Sequence, residues 1–179
     1  TLNLKNVGIS RRMTPTMDNS YGTLNLEGNS IEGDFPSGIT ILTNCFIKDN
    51  NLTGSLPAIG TSVKKYQVQG NAFRGEIHDI SGNTVIESYL AYGQDDGNTY
   101  SRVNPEIMLT GTIPDLSTCP SLTFYHVGAG EPWNRGFKNN LSLASDFDVG
   151  VNMERFYASN CQLSTEEVDK ILNKFAAKA

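Results

Sequence analysis

Leu24-Asn-Leu26-Glu-Gly-Asn29-Ser-Ile31-Glu-Gly33-Asp-Phe35-Pro36 is answered by Cys45-Phe-Ile47-Lys-Asp-Asn50-Asn-Leu52-Thr-Gly54-Ser-Leu56-Pro57. It is answered again by Tyr66-Gln-Val68-Gln-Gly-Asn71-Ala-Phe73-Arg-Gly75-Glu-Ile77. The asparagines at 29, 50 and 71 fall 21 residues apart each time, with the glycine and the closing apolar residue in phase. Self-similarity at such a period marks units that bury their apolar faces only by stacking on one another. Each apolar-x-apolar segment alternates faces, so its two apolar residues point inward and the residue between them points out.

Each constant position has a physical role. Where the chain turns after a strand, backbone groups are left buried, and a side-chain amide both donates and accepts. Asn29, Asn50 and Asn71 are therefore expected to form a structural row of stacked amides. Gly33, Gly54 and Gly75 allow a positive φ or close stacking of the turns. Pro36 and Pro57 favour an extended return over a helix. The expected fold is an α/β solenoid, mostly β. It is curved, with a parallel sheet on its concave side, little convex helix and a helical cap at the C-terminus.

Outward from this stretch the pattern loosens. Leu2-x-Leu4-x-x-Val7-x-Ile9 reads as a first copy without the asparagine, and its exposed leucines call for further repeats or a partner subunit at the N-terminal end. In the fifth copy, Val85, Ser88 and Leu90 align with Val63, Tyr66 and Val68. The phrase then breaks and resumes at Leu109-x-Gly111-x-Ile113-Pro114, which places an insertion near 93–106. Tyr125-x-Val127 forms the sixth copy, with Gly130 at the asparagine position. A second insertion is expected near 131–150 and holds the single tryptophan, Trp133. Met153, Phe156-x-Ala158 and Cys161 form the seventh. Residues 1–163 thus read as about seven repeats and 164–179 as the capping helix. That helix opens on a capping box of Ser164 and Glu167. It carries Val168, Ile171, Leu172 and Phe175 on one face.

Bulk properties exclude several classes. The 179 residues carry a formal charge of −5 with 38% hydrophobic residues. No basic face suits nucleic acid, and no apolar run spans a bilayer. The chain shows no signal peptide and opens inside a repeat, as a fragment or processed product would. Cys45, Cys119 and Cys161 have no metal or redox spacing, and Cys45 and Cys161 are expected as buried free thiols. Asn51-Leu-Thr53 and Asn140-Leu-Ser142 fit the glycosylation triplet.

Leu52-Thr-Gly-Ser-Leu-Pro57, Leu109-Thr-Gly-Thr-Ile-Pro114 and Leu116-Ser-Thr-Cys-Pro-Ser-Leu122 resemble the plant-type subclass of leucine-rich repeats, over nearly the whole chain. Plant receptor ectodomains and polygalacturonase inhibitors share the phrase, but with paired-cysteine caps and longer repeats. The compact repeats and short closing helix also resemble repeat proteins of bacterial surfaces and tailed-phage virions. That resemblance implies adhesion, virion architecture or host attachment, a virion-surface or extracellular location, and no catalytic residues or cofactors.

The residues offer no competing chemistry. Neither His78 nor His126 has metal spacing. Asp95-Asp96-Gly97-Asn98 lacks the ligand order of a calcium loop, and no carboxylate pair is fixed across a cleft. The candidate contact surface is the outward side of the inner sheet. Read down the copies it is Asn3, Asn25, Phe46, Gln67, Tyr89, His126 and Tyr157, with Phe124 and Arg155 beside them. Aromatics in a row mark a contact surface or reflect the strand preference of aromatics. Trp133 reads as a loop anchor on that face or as an exposed hot spot. The expected partner is a protein, such as another virion or surface subunit, or a host glycan.

Overall fold

The two-residue alternation of each short segment becomes strand. A computed structural model of the chain describes residues 1–14, 19–94, 107–129 and 138–178. In chain order the strands are β1 (Leu2–Asn3), β2 (Asn19–Asn25), β3 (Glu32–Asp34), β4 (Ile39–Phe46), β5 (Asn51–Thr53) and β6 (Lys65–Gln67). They continue with β7 (Gly75–Glu76), β8 (Ser88–Leu90), β9 (Ile107–Ile113), β10 (Phe124–His126), β11 (Lys138–Leu143) and β12 (Arg155–Tyr157), and helix α1 (Thr165–Ala176) ends the chain. A seven-stranded sheet runs β1-β2-β4-β6-β8-β10-β12, and two short sheets run β11-β9-β7 and β3-β5. All of these pairings are parallel. The chain therefore alternates between the long sheet and the short ones while advancing in one direction. The architecture is mostly parallel β with one C-terminal helix.

One apolar cluster draws on both sides. Leu24, Leu26, Cys45, Ile47, Tyr66 and Val68 enter it from the long sheet, and Leu52, Leu109 and Leu141 from the short ones. Between the buried pairs, Asn25, Phe46 and Gln67 stay half-buried on the other face. The inward rings of β6, β8, β10 and β12 stack. Tyr66 and Tyr89 lie 5.1 Å apart at 12°, Tyr89 and Tyr125 5.3 Å at 14°, and Tyr125 and Phe156 5.7 Å at 11°. Parallel strands sit about 4.8 Å apart, so rings at equivalent positions fall naturally into offset stacks.

This stack corrects one expectation. Tyr89 is fully buried and pairs with Tyr66 and Tyr125, so it is not an outward contact residue. Ile86, Tyr89 and Ala91 are the inward residues of this segment, while Val85 and Leu90 are not. A slip of one residue exchanges every side chain between faces. The segment is 23 residues long from Asn71 to Gln94 rather than 21, and aligning it with a spacing of 22 inverted it.

The amide row is continuous across these segments. Asn50 Oδ1 accepts from Ile31 N at 3.1 Å, and its Nδ2 donates to the carbonyls of Leu26 (3.0 Å), Ile47 (3.1 Å) and Lys48 (3.1 Å). Asn29 repeats the set on Ile9, Leu4, Leu26 and Glu27. Asn71 repeats it on Leu52, Ile47, Val68 and Gln69. Two members were not expected. Gln94 accepts from Phe73 N and donates to Val68, Ala91 and Tyr92, so the chain keeps its pattern past residue 93. Asn139 accepts from Leu109 N at 3.0 Å and donates to Val127 O, taking the role expected of Gly130. Its strand β11 pairs with β9 from Lys138 onward, so the second insertion is shorter than 131–150. Cys161 closes the row with its thiol on the Val127 and Ser159 carbonyls. Cys45, Cys119 and Cys161 are all free and buried. Gly33, Gly54 and Gly75 all have positive φ (+88°, +82°, +96°), a region that side chains with a Cβ rarely enter.

Helix α1 starts on the expected capping box, with Ser164 Oγ accepting from Glu167 N and Glu167 accepting from Ser164 N. The other Glu167 oxygen takes Leu143 N at 2.7 Å, which ties the helix to β11. Ile171 and Phe175 pack on the core, whereas Val168 and Leu172 are exposed. The helix covers the end with half of its apolar face. Lys170, Lys174 and Lys178 reach across to Ala144, Ser145, Asp148, Val149 and Gly150.

Asn50→Ala and Gln94→Ala should each lower unfolding free energy by about 2–3 kcal/mol, because a buried N–H and its carbonyl neighbours lose their partner. Gln67→Ala, half-buried on the opposite face, should cost under about 0.5 kcal/mol. Urea denaturation of the three variants measures the contrast.

Candidate functional site

The outward face of the long sheet divides into two halves with different chemistry. In the first half the charged groups pair with one another. Glu27 bridges Lys5 (3.2 Å) and Lys48 (3.0 Å), Asn44 donates to Thr23, and Lys65 meets Glu87 at 3.5 Å. Burial raises the Glu27 pKa, but the bonds and charges of Lys48 and Lys5 outweigh it and hold the carboxyl below its usual range.

The second half is aromatic. His126 on β10 stacks on Tyr92 at 3.8 Å and 13°, and lies 4.9 Å from Tyr157 of β12 and 6.3 Å from Phe124. Phe124 meets Tyr157 edge-on at 5.8 Å, and the Arg155 guanidinium sits 5.6 Å from the Phe124 ring centre. Tyr157 is 47% exposed, the most open ring of the group. No side-chain hydrogen bond to Tyr157, His126 or Gln67 occurs among the described residues. Strand register places these rings. Phe124 pairs with Arg155 and His126 with Tyr157, so their side chains stand side by side on one face.

Of the residues named from the sequence, the structure brings together His126, Phe124 and Tyr157, and leaves Phe46 and Gln67 half-buried on β4 and β6 of the same face. Tyr89 is on the opposite side, and Trp133 lies outside the described residues. So do Asp95 and Asp96. Sequence reasoning missed Tyr92, Leu90, Gly128 and Ser159. A signal was present. The inward residue that opens each strand lies five positions before its asparagine, as Leu24, Cys45 and Tyr66 do before Asn29, Asn50 and Asn71. Accepting Gln94 as an amide of the same row fixes Tyr89 inward, Leu90 outward, and Tyr92 beside His126.

Glycine at 128 shapes the rim of this patch. A Cβ there would fall 2.6 Å from Ser159 Oγ, 3.1 Å from His126 Nε2 and 3.1 Å from Ser159 N. Ser159 and His126 thus pack directly against the buried Gly128 backbone and leave no room for a side chain there. On the same face Gln69 and Ser88 are buried with Oε1 and Oγ unpartnered. Among the described residues, no group of three or more His, Cys, Asp or Glu is placed to hold a metal ion. Asp146 borders a surface depression with Asp79 and Asp115, and Asp115 is occupied by Ser117 and Asp148 N–H groups.

The chain matches no family model, no curated protein and no solved structure. No described helix is long and apolar enough to cross a membrane.

Both histidines are held neutral. Burial lowers His126 to about 4, and it does the same to His78, which is packed against Tyr66 and Tyr89. Their folded pKa values lie below the ordinary 6.5. Between about 4 and 6.5 the unfolded chain therefore binds more protons than the folded one, and stability falls as pH drops through that window. His78→Gln/His126→Gln should flatten this fall by about 2–4 kcal/mol after allowance for partial exposure, read from urea midpoints at a series of pH values.

Proposed function

We propose that the chain is a leucine-rich repeat solenoid, curved and mostly β, with residues 164–179 as its C-terminal cap. In this reading it serves as a non-catalytic structural or attachment module of a phage virion, binding a protein or glycan through the concave face and the inserted loops. The fold reading is supported by parallel strands in chain order and by the equivalent bonding of Asn29, Asn50, Asn71 and Gln94. The observation that carries the functional reading is the cluster of Tyr92, Phe124, His126 and Tyr157 on one sheet face. Aromatic groups of this kind anchor interfaces because they bury much area with little loss of rotamer freedom. The virion assignment follows the resemblance of the compact repeats to phage and bacterial surface proteins. The apolar residues of the first strand region, with Val7 56% exposed, support further repeats or a partner subunit at the N-terminal end.

An antibody raised against the chain should label intact particles, and mass spectrometry of purified virions should recover its peptides. Recovery from cell envelopes alone would favour a bacterial surface adhesin instead, and recovery from cytosol alone would overturn both. Phe124→Ala/Tyr157→Ala should reduce adsorption to host cells at least tenfold, with the melting temperature lowered by only a few degrees.

A further inference from the structure

We propose that the two ends of the long sheet are complementary docking faces, which join the β12 and α1 end of one copy of this chain to the β1 end of the next, head to tail. The proposal rests on the reading that the first strand region calls for a partner subunit, and deepens it by naming that partner as a second copy.

The backbone of a parallel sheet has a direction. Alternate residues of each strand bond to one neighbour, and the residues between them bond to the other. At the first junction Leu4 N donates to Asn25 O and Asn6 N to Glu27 O. At the last, Val127 N donates to Tyr157 O and Ala129 N to Ser159 O. The next donors in this series are Ala158 N and Asn160 N, and the acceptors that would stand before it are Asn3 O and Lys5 O. No described residue bonds any of the four, because β12 pairs with β10 alone and β1 with β2 alone. One end thus offers the N–H set and the other the carbonyl set. Two copies related by a two-fold axis would bring identical edges together antiparallel, so only a head-to-tail contact continues the parallel series.

The side chains carry the same polarity. Residues 1–14 hold Lys5, Arg11 and Arg12 and no acid. Arg11 and Arg12 are exposed and make no ion pair with a described residue. At the other end Glu154, Glu166 and Asp169 are exposed and equally unpaired. The cations there are committed. Lys170 and Lys178 bond backbone carbonyls, Lys174 bonds Asp148, and Arg155 lies against the Phe124 ring. Opposite charges on facing surfaces steer and orient association. Exposed apolar side chains accompany both sets, Val7 at the first end and Val168 and Leu172 on α1.

This junction differs from the interior ones in one respect. Inside the chain, an amide from each later segment holds the segment before it. Val7 stands five residues after Leu2, the place that Asn29 takes after Leu24, and has no amide to offer. The contact is therefore reversible, held by edge bonds, apolar area and charge, and salt screens the last of these.

The test is sedimentation of the full chain over a concentration series at low and at high salt. The expected result is a mass that rises with concentration through successive oligomers without stopping at a dimer, and that falls in high salt. Val7→Glu sets an acid against acids, and Leu172→Lys sets a cation against arginines. Both positions are exposed, and circular dichroism melts verify folding. Each variant alone should associate about tenfold more weakly or worse, because like charges brought together at an interface are strongly disfavoured. Their equimolar mixture should form a dimer and nothing larger, since each supplies the end that the other lacks. A monomer at every concentration, a dimer that persists in both variants, or a mixture that fails to associate would each overturn the proposal. So would self-association abolished by Phe124→Ala/Tyr157→Ala and untouched by Val7→Glu, which would place the contact on the aromatic face. A monomeric chain whose Phe124→Ala/Tyr157→Ala variant still loses host adsorption would remove the end-to-end contact alone. Unchanged adsorption in that variant would remove the attachment reading, whatever the oligomeric state.

Discussion

Buried backbone groups without partners are the constraint on which this structure depends. Each time the chain leaves the long sheet it turns inside the protein, where an unpaired N–H or C=O costs about 1–3 kcal/mol. A short amide side chain answers the problem because it accepts one bond and donates more than one. Asn29, Asn50 and Asn71 do so with the same geometry, and each binds its own segment and the preceding one together. The apolar side chains then need only alternate correctly. Rings at Tyr66, Tyr89, Tyr125 and Phe156 fall into register because the strands beneath them already have.

Much of this was legible in residue types and spacing. The amides at 29, 50 and 71, the glycines with positive φ, the buried cysteines and the Ser164–Glu167 cap all follow from local chemistry that leaves a fixed pattern. What escaped reading did so for definite reasons. Gln94 does the work of an asparagine with one more methylene, and its segment is longer by two residues, so counting failed where chemistry would have succeeded. Because faces alternate with a period of two, that miscount by one placed Tyr89 on the wrong side. Asn139 was hidden by the residues that separate it from Val127, and no local signal marks a return to register.

The candidate site was only partly visible. His126, Phe124 and Tyr157 could be named because strand alternation alone turns them outward. Tyr92 comes from the turn after a strand whose register was misread, and Gly128 and Ser159 matter through the absence of a side chain at one and the position of the other across a sheet. Such a convergence depends on tertiary distance, so a linear pattern does not display it. The division of the face into a half of paired charges and an aromatic half likewise emerges only when Lys5, Glu27 and Lys48, drawn from three strand segments, are seen to meet.

The direction of the amide bonds has a consequence for how the chain is made. Asn50 secures Leu26 and Ile31, and Asn71 secures Ile47 and Leu52, so every segment is locked by one that comes later. On a ribosome adding about 5–20 residues per second, each newly emerged layer waits about 1–4 s for the side chain that fastens it. The growing end is thus always one latch behind synthesis, and the last latch is set by Cys161 and the helix behind it. A nascent chain stalled short of that helix would carry a sound N-terminal body with a frayed, sticky trailing edge.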